Sequence, residues 1–219
     1  LPGAVAVPVV IPDEKYGTLS VISPSHPAHP SAEVNLSARG YVTTTARLGL
    51  VDIDGPFDLA APKLFTLLGD YRAPSFSAVY QVYLWDAECN CRGALMTNPE
   101  VTMASLAANP GETLHVPDAG YNLGGGYNAL VLYADSDRIA FTYTREDNPV
   151  RGYVLYLEGI AVGSNLVALY QQANSAGRAE LPALRVGQAF ARGRGEVKFA
   201  IRDAGAFMDP RSRKDWWRK

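Results

Sequence analysis

The sequence predicts a mostly β fold, and three observations carry that prediction. Twenty glycines, fifteen prolines and twelve tyrosines among 219 residues favour turns and strands over long helices. The stretch from Arg151 to Pro210 is a series of short apolar-alternating segments separated by glycine turns. Ser75 to Trp85 is the strongest single strand in the chain, and its tyrosines at 80 and 83 fall on opposite faces, so cover is expected on both sides.

Composition narrows the function classes. Hydrophobic residues make up 47% and charged residues 19%, which describes a globular chain with a substantial core. A net charge of −2 gives no case for nucleic acid or an acidic membrane as partner. No apolar run reaches the roughly 20 residues of a membrane helix. Opening on Leu1-Pro2-Gly3 suggests that a signal peptide has been removed, which places the protein outside the cell or in its envelope, with simple trimming as the alternative.

In chain order, Leu1 to Pro12 reads as an edge strand or extended arm, because its prolines cannot donate to a ladder. Such an arm packs on its own domain or adds to a neighbouring copy's sheet. Ser23 to Pro30 is a proline-spaced loop. Its His26 and His29 form the one close histidine pair, but prolines hold them extended and off a shared face. Ala32 to Ala46 reads as one or two strands. Pro56 to Leu68 is the best helix candidate of the first half, with Asp58 as its cap.

Cys89 and Cys91 are either bridged across one residue or two free thiols. Val101 to Ala107 and Glu112 to Val116 form two strands around the turn Asn109-Pro110-Gly111. Gly124-Gly125-Gly126 is a turn or a binding loop. Ala129 to Ala134 and Arg138 to Thr144 make a hairpin. A soft boundary near 110–128 divides a β-rich region of unassigned role (1–118) from a second β domain (119–219). Leu166 to Gln172, Leu184 to Gly193 and Glu196 to Arg202 complete the strand series.

That series also has a familiar order. Val131-Leu132-Tyr133-Ala134, Asp137-Arg138-Ile139, Gly152-Tyr153-Val154-Leu155, Leu169-Tyr170-Gln171-Gln172, Val186-Gly187-Gln188, Glu196-Val197-Lys198-Phe199 and Asp209-Pro210 follow one another over about residues 120–212. The run resembles the lysostaphin/LytM-type zinc endopeptidases, peptidase family M23. The resemblance implies a C-terminal antiparallel β-sandwich or barrel, beside an N-terminal β-rich region.

The chemistry of that family is missing from the matching positions. A catalytic zinc needs three protein ligands and an open site. Glu196 and Lys198 stand where the family has His-x-His, and a lysine ammonium cannot ligate. Gln172 replaces the histidine of Leu-Tyr-Ala-His, and no His-x3-Asp occurs; His115-Val-Pro-Asp118 comes nearest. The resemblance therefore implies a degenerate groove around Tyr170, Gln172, Glu196 and Lys198, with no catalytic residue, metal or cofactor. Glu196 and Lys198 are expected to form an exposed ion pair. A rearranged set of His26, His29, His115 and Asp118 is the alternative that keeps a zinc hydrolase.

No serine sits in Gly-x-Ser-x-Gly, and nothing in the sequence singles out a carboxylate pair. The end, Met208 to Lys219, joins five cations to Trp216 and Trp217. It is either a contact patch for a glycan or anionic polymer, or a lid whose indoles pack inward; the area that tryptophan buries favours the lid. The expectation is a secreted binding or structural protein whose partner is a cell-wall or matrix polymer, or copies of itself.

Overall fold

The computed structural model describes residues 9–12, 14–23, 32–86 and 88–219. The fold is mostly β. In chain order it contains β1 (Gly17–Ser20), α1 (Leu36–Arg39), β2 (Tyr41–Thr43), β3 (Phe76–Asp86), β4 (Cys91–Leu95), β5 (Met103–Ala107) and β6 (Thr113–His115). There follow β7 (Ala129–Ala134), β8 (Arg138–Thr142), β9 (Tyr153–Val162), α2 (Ser164–Ser175), β10 (Glu180–Leu184), β11 (Ala189–Asp203), β12 (Ala206–Phe207) and α3 (Arg213–Trp216).

All twelve strands belong to one antiparallel sheet whose main path runs β1-β10-β7-β8-β9-β11-β5-β3-β2. The sheet crosses the expected boundary near 118, since β11 pairs with β9 on one side and with β5 and β6 on the other. Successive side chains of its central strands enter different cores, as the two-residue period of a strand requires. Leu155 and Leu157 of β9, Ile139 and Phe141 of β8 and Phe199 and Ile201 of β11 join one cluster. Val154, Tyr156, Ala140 and Ala200, one residue out of step, join the other. Both faces are therefore covered, and that burial holds the register.

The strands expected at 75–85, 101–107, 129–134 and 138–144 form as β3, β5, β7 and β8, with β5 starting two residues later and β8 ending two residues earlier than expected. Gly111 takes φ +81° in the expected turn, and Gly124, Gly125 and Gly126 all have positive φ. Cys89 and Cys91 are bridged at the exposed tip of the β3–β4 hairpin. His26 and His29 lie outside the described residues, as do residues 1–8 of the arm. The described part of the arm contacts its own chain: Ser164 N donates to the carbonyl of Val9 at 2.8 Å, and Ile11 is buried.

Three expected elements are corrected. Leu166 to Gln172 is not a strand but the centre of helix α2. The apolar positions Leu166 and Tyr170 satisfy a two-residue and a four-residue period alike, and leucine, alanine and glutamine favour the helix. Pro56 to Leu68 is not a helix beyond a single 3₁₀ turn at Leu64–Thr66. Pro62 removes a donor and keeps Ala61 out of the helical region, so Asp58 caps only a local turn, accepting from Ala60 N at 2.8 Å. Within Ala32–Ala46, Asn35 accepts from Ala38 N and starts the short helix α1 ahead of β2.

Candidate functional site: a surface trough

The described residues that matched the peptidase series do not assemble into one groove. Tyr170 is buried on α2, where its hydroxyl accepts from Arg178 Nη1 at 3.2 Å. Gln172 is exposed on the same helix, beside a hollow of about 340 Å³ shared with Thr18 and Glu180. Helix α2 packs on β10 and β7, whereas Glu196 and Lys198 lie on β11, three strands further along the sheet from β7.

The expected Glu196–Lys198 ion pair is also corrected. Ser105 Oγ donates to Glu196 at 3.4 Å, while the Lys198 ammonium donates to Tyr41 Oη at 3.2 Å and lies over the Tyr41 and Tyr80 rings. The two side chains share a strand face, but Lys198 reaches across β5 toward Tyr41 of β2 and Tyr80 of β3. Glu158, opposite Lys198 on β9, is buried, accepting from the Ser37 amide and hydroxyl at 2.9 and 2.8 Å.

The tail is a lid, so the indoles are not a contact patch. Trp216 is 1% exposed and Trp217 7%. Their ring N–H groups donate to the carbonyls of Asp209 and Pro210 at 2.8 and 2.9 Å. Trp217 meets Phe76 and Phe199 edge-on, and Trp216 meets Tyr153. The large apolar area of each ring favours burial, while Arg213, Arg218 and Lys219 stay toward the surface and Arg211 is buried with the indoles.

Seating the indoles ties the tail to residues 51–63. Val51 N donates to the Arg211 carbonyl and Arg213 N to that of Val51, at 3.1 and 2.9 Å. Lys214 Nζ donates to the carbonyl of Pro56 at 2.7 Å, and Arg218 lies 4.4 Å above the Phe57 ring. On the opposite side of the same segment, Lys63 N donates to the Asp118 carbonyl at 2.7 Å and their side chains pair at 2.8 Å. Gly120 lets the chains approach, because a Cβ there would sit 2.7 Å from that of Ala60.

Between these two layers runs a trough of three hollows. The first, about 760 Å³, is lined by Lys63, Phe65, Tyr71, His115, Asp118 and Lys219, among others. The middle one, about 320 Å³, shares Lys63 and Lys219 with it and adds Phe57 and Arg218. The third, about 510 Å³, shares Phe57, Asp58, Lys214 and Asp215 with the middle one and ends at Tyr153 and Asp203. Phe57 and Tyr71 present partly exposed rings to the trough, 37% and 51% exposed.

At the acidic end the hydroxyls of Tyr121 and Tyr153 donate to Asp58 Oδ2 at 3.1 and 3.3 Å. Burial and the Asp58 charge hold the Tyr121 hydroxyl up at about 12. Burial, and then the Asp58 charge, also raise the Asp203 carboxyl above its ordinary 3.8. A carboxyl whose pKa is higher folded than unfolded opposes folding once ionised. That penalty is absent below the unfolded pKa and complete above the folded one. Asp203→Asn should therefore stabilise the protein at pH 7, and the gain should fade as pH drops through the carboxylate range. Thermal melts at pH 7 and pH 3 check this, and an equal gain at both would contradict it.

Among the described residues no three His, Cys, Asp or Glu side chains stand close enough to hold a metal ion. His115 Nδ1 lies 3.0 Å from the Gly187 carbonyl, and Asp118 is engaged by Lys63. None of the helices of the described residues is long and apolar enough to cross a membrane.

No family model, curated protein or solved structure matches this chain. The trough itself went unread in the sequence. Its walls come from residues 53–71, 115–118 and 203–219 together with Tyr153, Val186 and Gly187, which no local pattern links. The available signal was negative: Phe57, Leu59 and Tyr71 fit no apolar face of the proline-broken segment that carries them.

Proposed function

We propose that this chain is a non-catalytic binding protein of the cell envelope or extracellular matrix, on a peptidase-like scaffold without the family's histidines. It holds an extended wall or matrix polymer along the trough. The observation that carries this reading is continuity. Each neighbouring pair of hollows shares lining residues, so one chain-like ligand can reach from Tyr71 in the first to Phe57 in the other two. Concave sites with aromatic walls and a few polar groups are where ligands bind. The Cys89–Cys91 bridge supports an oxidising compartment outside the cytosol. The non-catalytic part rests on Gln172, Glu196 and Lys198 standing where the resemblance requires histidine.

Co-sedimentation with insoluble peptidoglycan and with matrix glycan tests the reading. The protein should pellet with one of them and release no fragments. The double variant Phe57→Ala/Tyr71→Ala should bind at least about tenfold more weakly, as loss of two aromatic anchors predicts. Failure to pellet with either polymer, or undiminished binding by the double variant, would remove the proposal.

A further inference from the structure

The first hollow has features that a general polymer-binding surface does not need. Tyr71 takes φ +53°, a conformation that bulky residues rarely adopt. Its backbone is fixed there by the turn bond from Tyr71 N to the Leu68 carbonyl at 3.1 Å. Leu68 is tied in turn to Leu114, and Phe65 meets the Tyr71 ring at 6.0 Å with the planes 66° apart. A strained backbone that holds a half-exposed aromatic ring in one orientation points to a role for that ring.

The polar groups around it are pre-set as well. The His115 Nδ1 contact is to a carbonyl, which can only accept, so Nδ1 carries a proton and the neutral form of the ring presents its lone pair at Nε2. Gly69 keeps the approach to Nε2 clear; a Cβ there would lie 3.3 Å from it. Nε2 has no hydrogen-bond partner among the described residues. Lys63 and Asp118 hold a donor and an acceptor 2.8 Å apart in the same hollow, neutralising each other while keeping further protons and lone pairs to offer.

We propose that this hollow is a saccharide subsite. One face of a sugar ring stacks on Tyr71, and adjacent hydroxyls bond to the Lys63–Asp118 pair and to His115 Nε2. A hydroxyl both donates and accepts, so neighbouring hydroxyls match a donor and acceptor held side by side. The internally neutral Lys63–Asp118 pair suits an uncharged polyol better than an anion. The inference rests on the polymer-binding reading and names the part of the polymer that enters this hollow.

Saturation-transfer NMR and titration of the full chain provide the test. The probes are hexamers of β-1,4-linked N-acetylglucosamine and of β-1,4-linked glucose. At least one should bind, Tyr71→Phe should retain its affinity, and Tyr71→Ala and Asp118→Asn should each lose about fivefold or more. The outward-facing Gln172→Ala is the control and should change nothing; melting curves confirm that each variant is folded. No binding by either hexamer, full affinity in Tyr71→Ala, or competition by wall-derived peptides alone would overturn the subsite. The two readings fail separately. Polymer that still pellets the protein at saturating hexamer removes only the subsite. Hexamer binding without polymer binding removes only the polymer-binding proposal.

Discussion

Arg178→Met is expected to lower the stability of this protein by about 3–5 kcal/mol, the range for breaking a buried ion pair by removing one partner. Arg178 is 1% exposed and all of its donor nitrogens are used. Nε and Nη2 hold the Asp147 carboxylate at 2.7 and 2.6 Å, Nη1 reaches Tyr170 and Asn174, and Nη2 also reaches the Leu132 carbonyl. One guanidinium thereby fastens the end of α2 to strand β7 and to the 143–152 loop. It does so from a left-handed backbone position, φ +62°. The melting point should fall by roughly 10 °C, at about 2–4 °C per kcal/mol for a chain of this size. Replacing the pair together, as Arg178→Met with Asp147→Leu, should recover part of the loss, because the buried carboxylate that has lost its arginine is then removed as well. A single variant within about 1 kcal/mol of wild type, as surface changes usually are, would show that this latch contributes little.

Trp216→Ala should have an effect of similar size, about 3–5 kcal/mol for truncating a fully buried aromatic. The indole fills the space between Tyr153 and the tail, and its N–H satisfies the Asp209 carbonyl. Asp209 is meanwhile clamped by Arg211 through both oxygens, at 3.0 and 2.7 Å. Loss of the indole removes the anchor that seats the tail against residues 51–63, so polymer binding should fall along with stability. Trp216→Phe keeps most of the apolar area but not the N–H, and should lie between the two. Urea unfolding measures the first effect and co-sedimentation the second. A destabilised Trp216→Ala that still binds fully would mean that the tail does not form a wall of the binding site.

The all-β character and the main hairpins were legible because strands with one period have one simple signature. Ala129–Ala134 and Tyr153–Leu157 alternate, or run continuously apolar, between clear turn residues. Helix α2 was not legible because Leu166, Tyr170 and the alanines between them fit two periods at once. Packing of Leu166 and Tyr170 into the core shared with β7 decides between the periods. Pro62 is the residue in the sequence that argues against a helix across Pro56–Leu68. The buried arginines were not legible at all. Nothing adjacent in sequence tells Arg178 or Arg211 from the solvated cations beside them; the carboxylate of Asp147 is 31 residues from Arg178.

The trough was illegible for a related reason. A ligand surface made from several segments far apart in the chain exists only after the sheet has brought them together. His115 and Asp118 were visible as a near miss of a metal motif. Their neighbours Lys63 and Tyr71 give them a different chemistry, hydrogen bonding beside an aromatic face.

The most direct measurement is hydrogen exchange on the protein with and without saturating wall polymer. Binding in the trough predicts slower exchange confined to residues 53–71, 111–120, 185–188 and 203–219 and to Tyr153, with 164–175 and the centre of β11 unchanged. Protection around Gln172, Glu196 and Lys198 instead, or none anywhere despite binding, would contradict it.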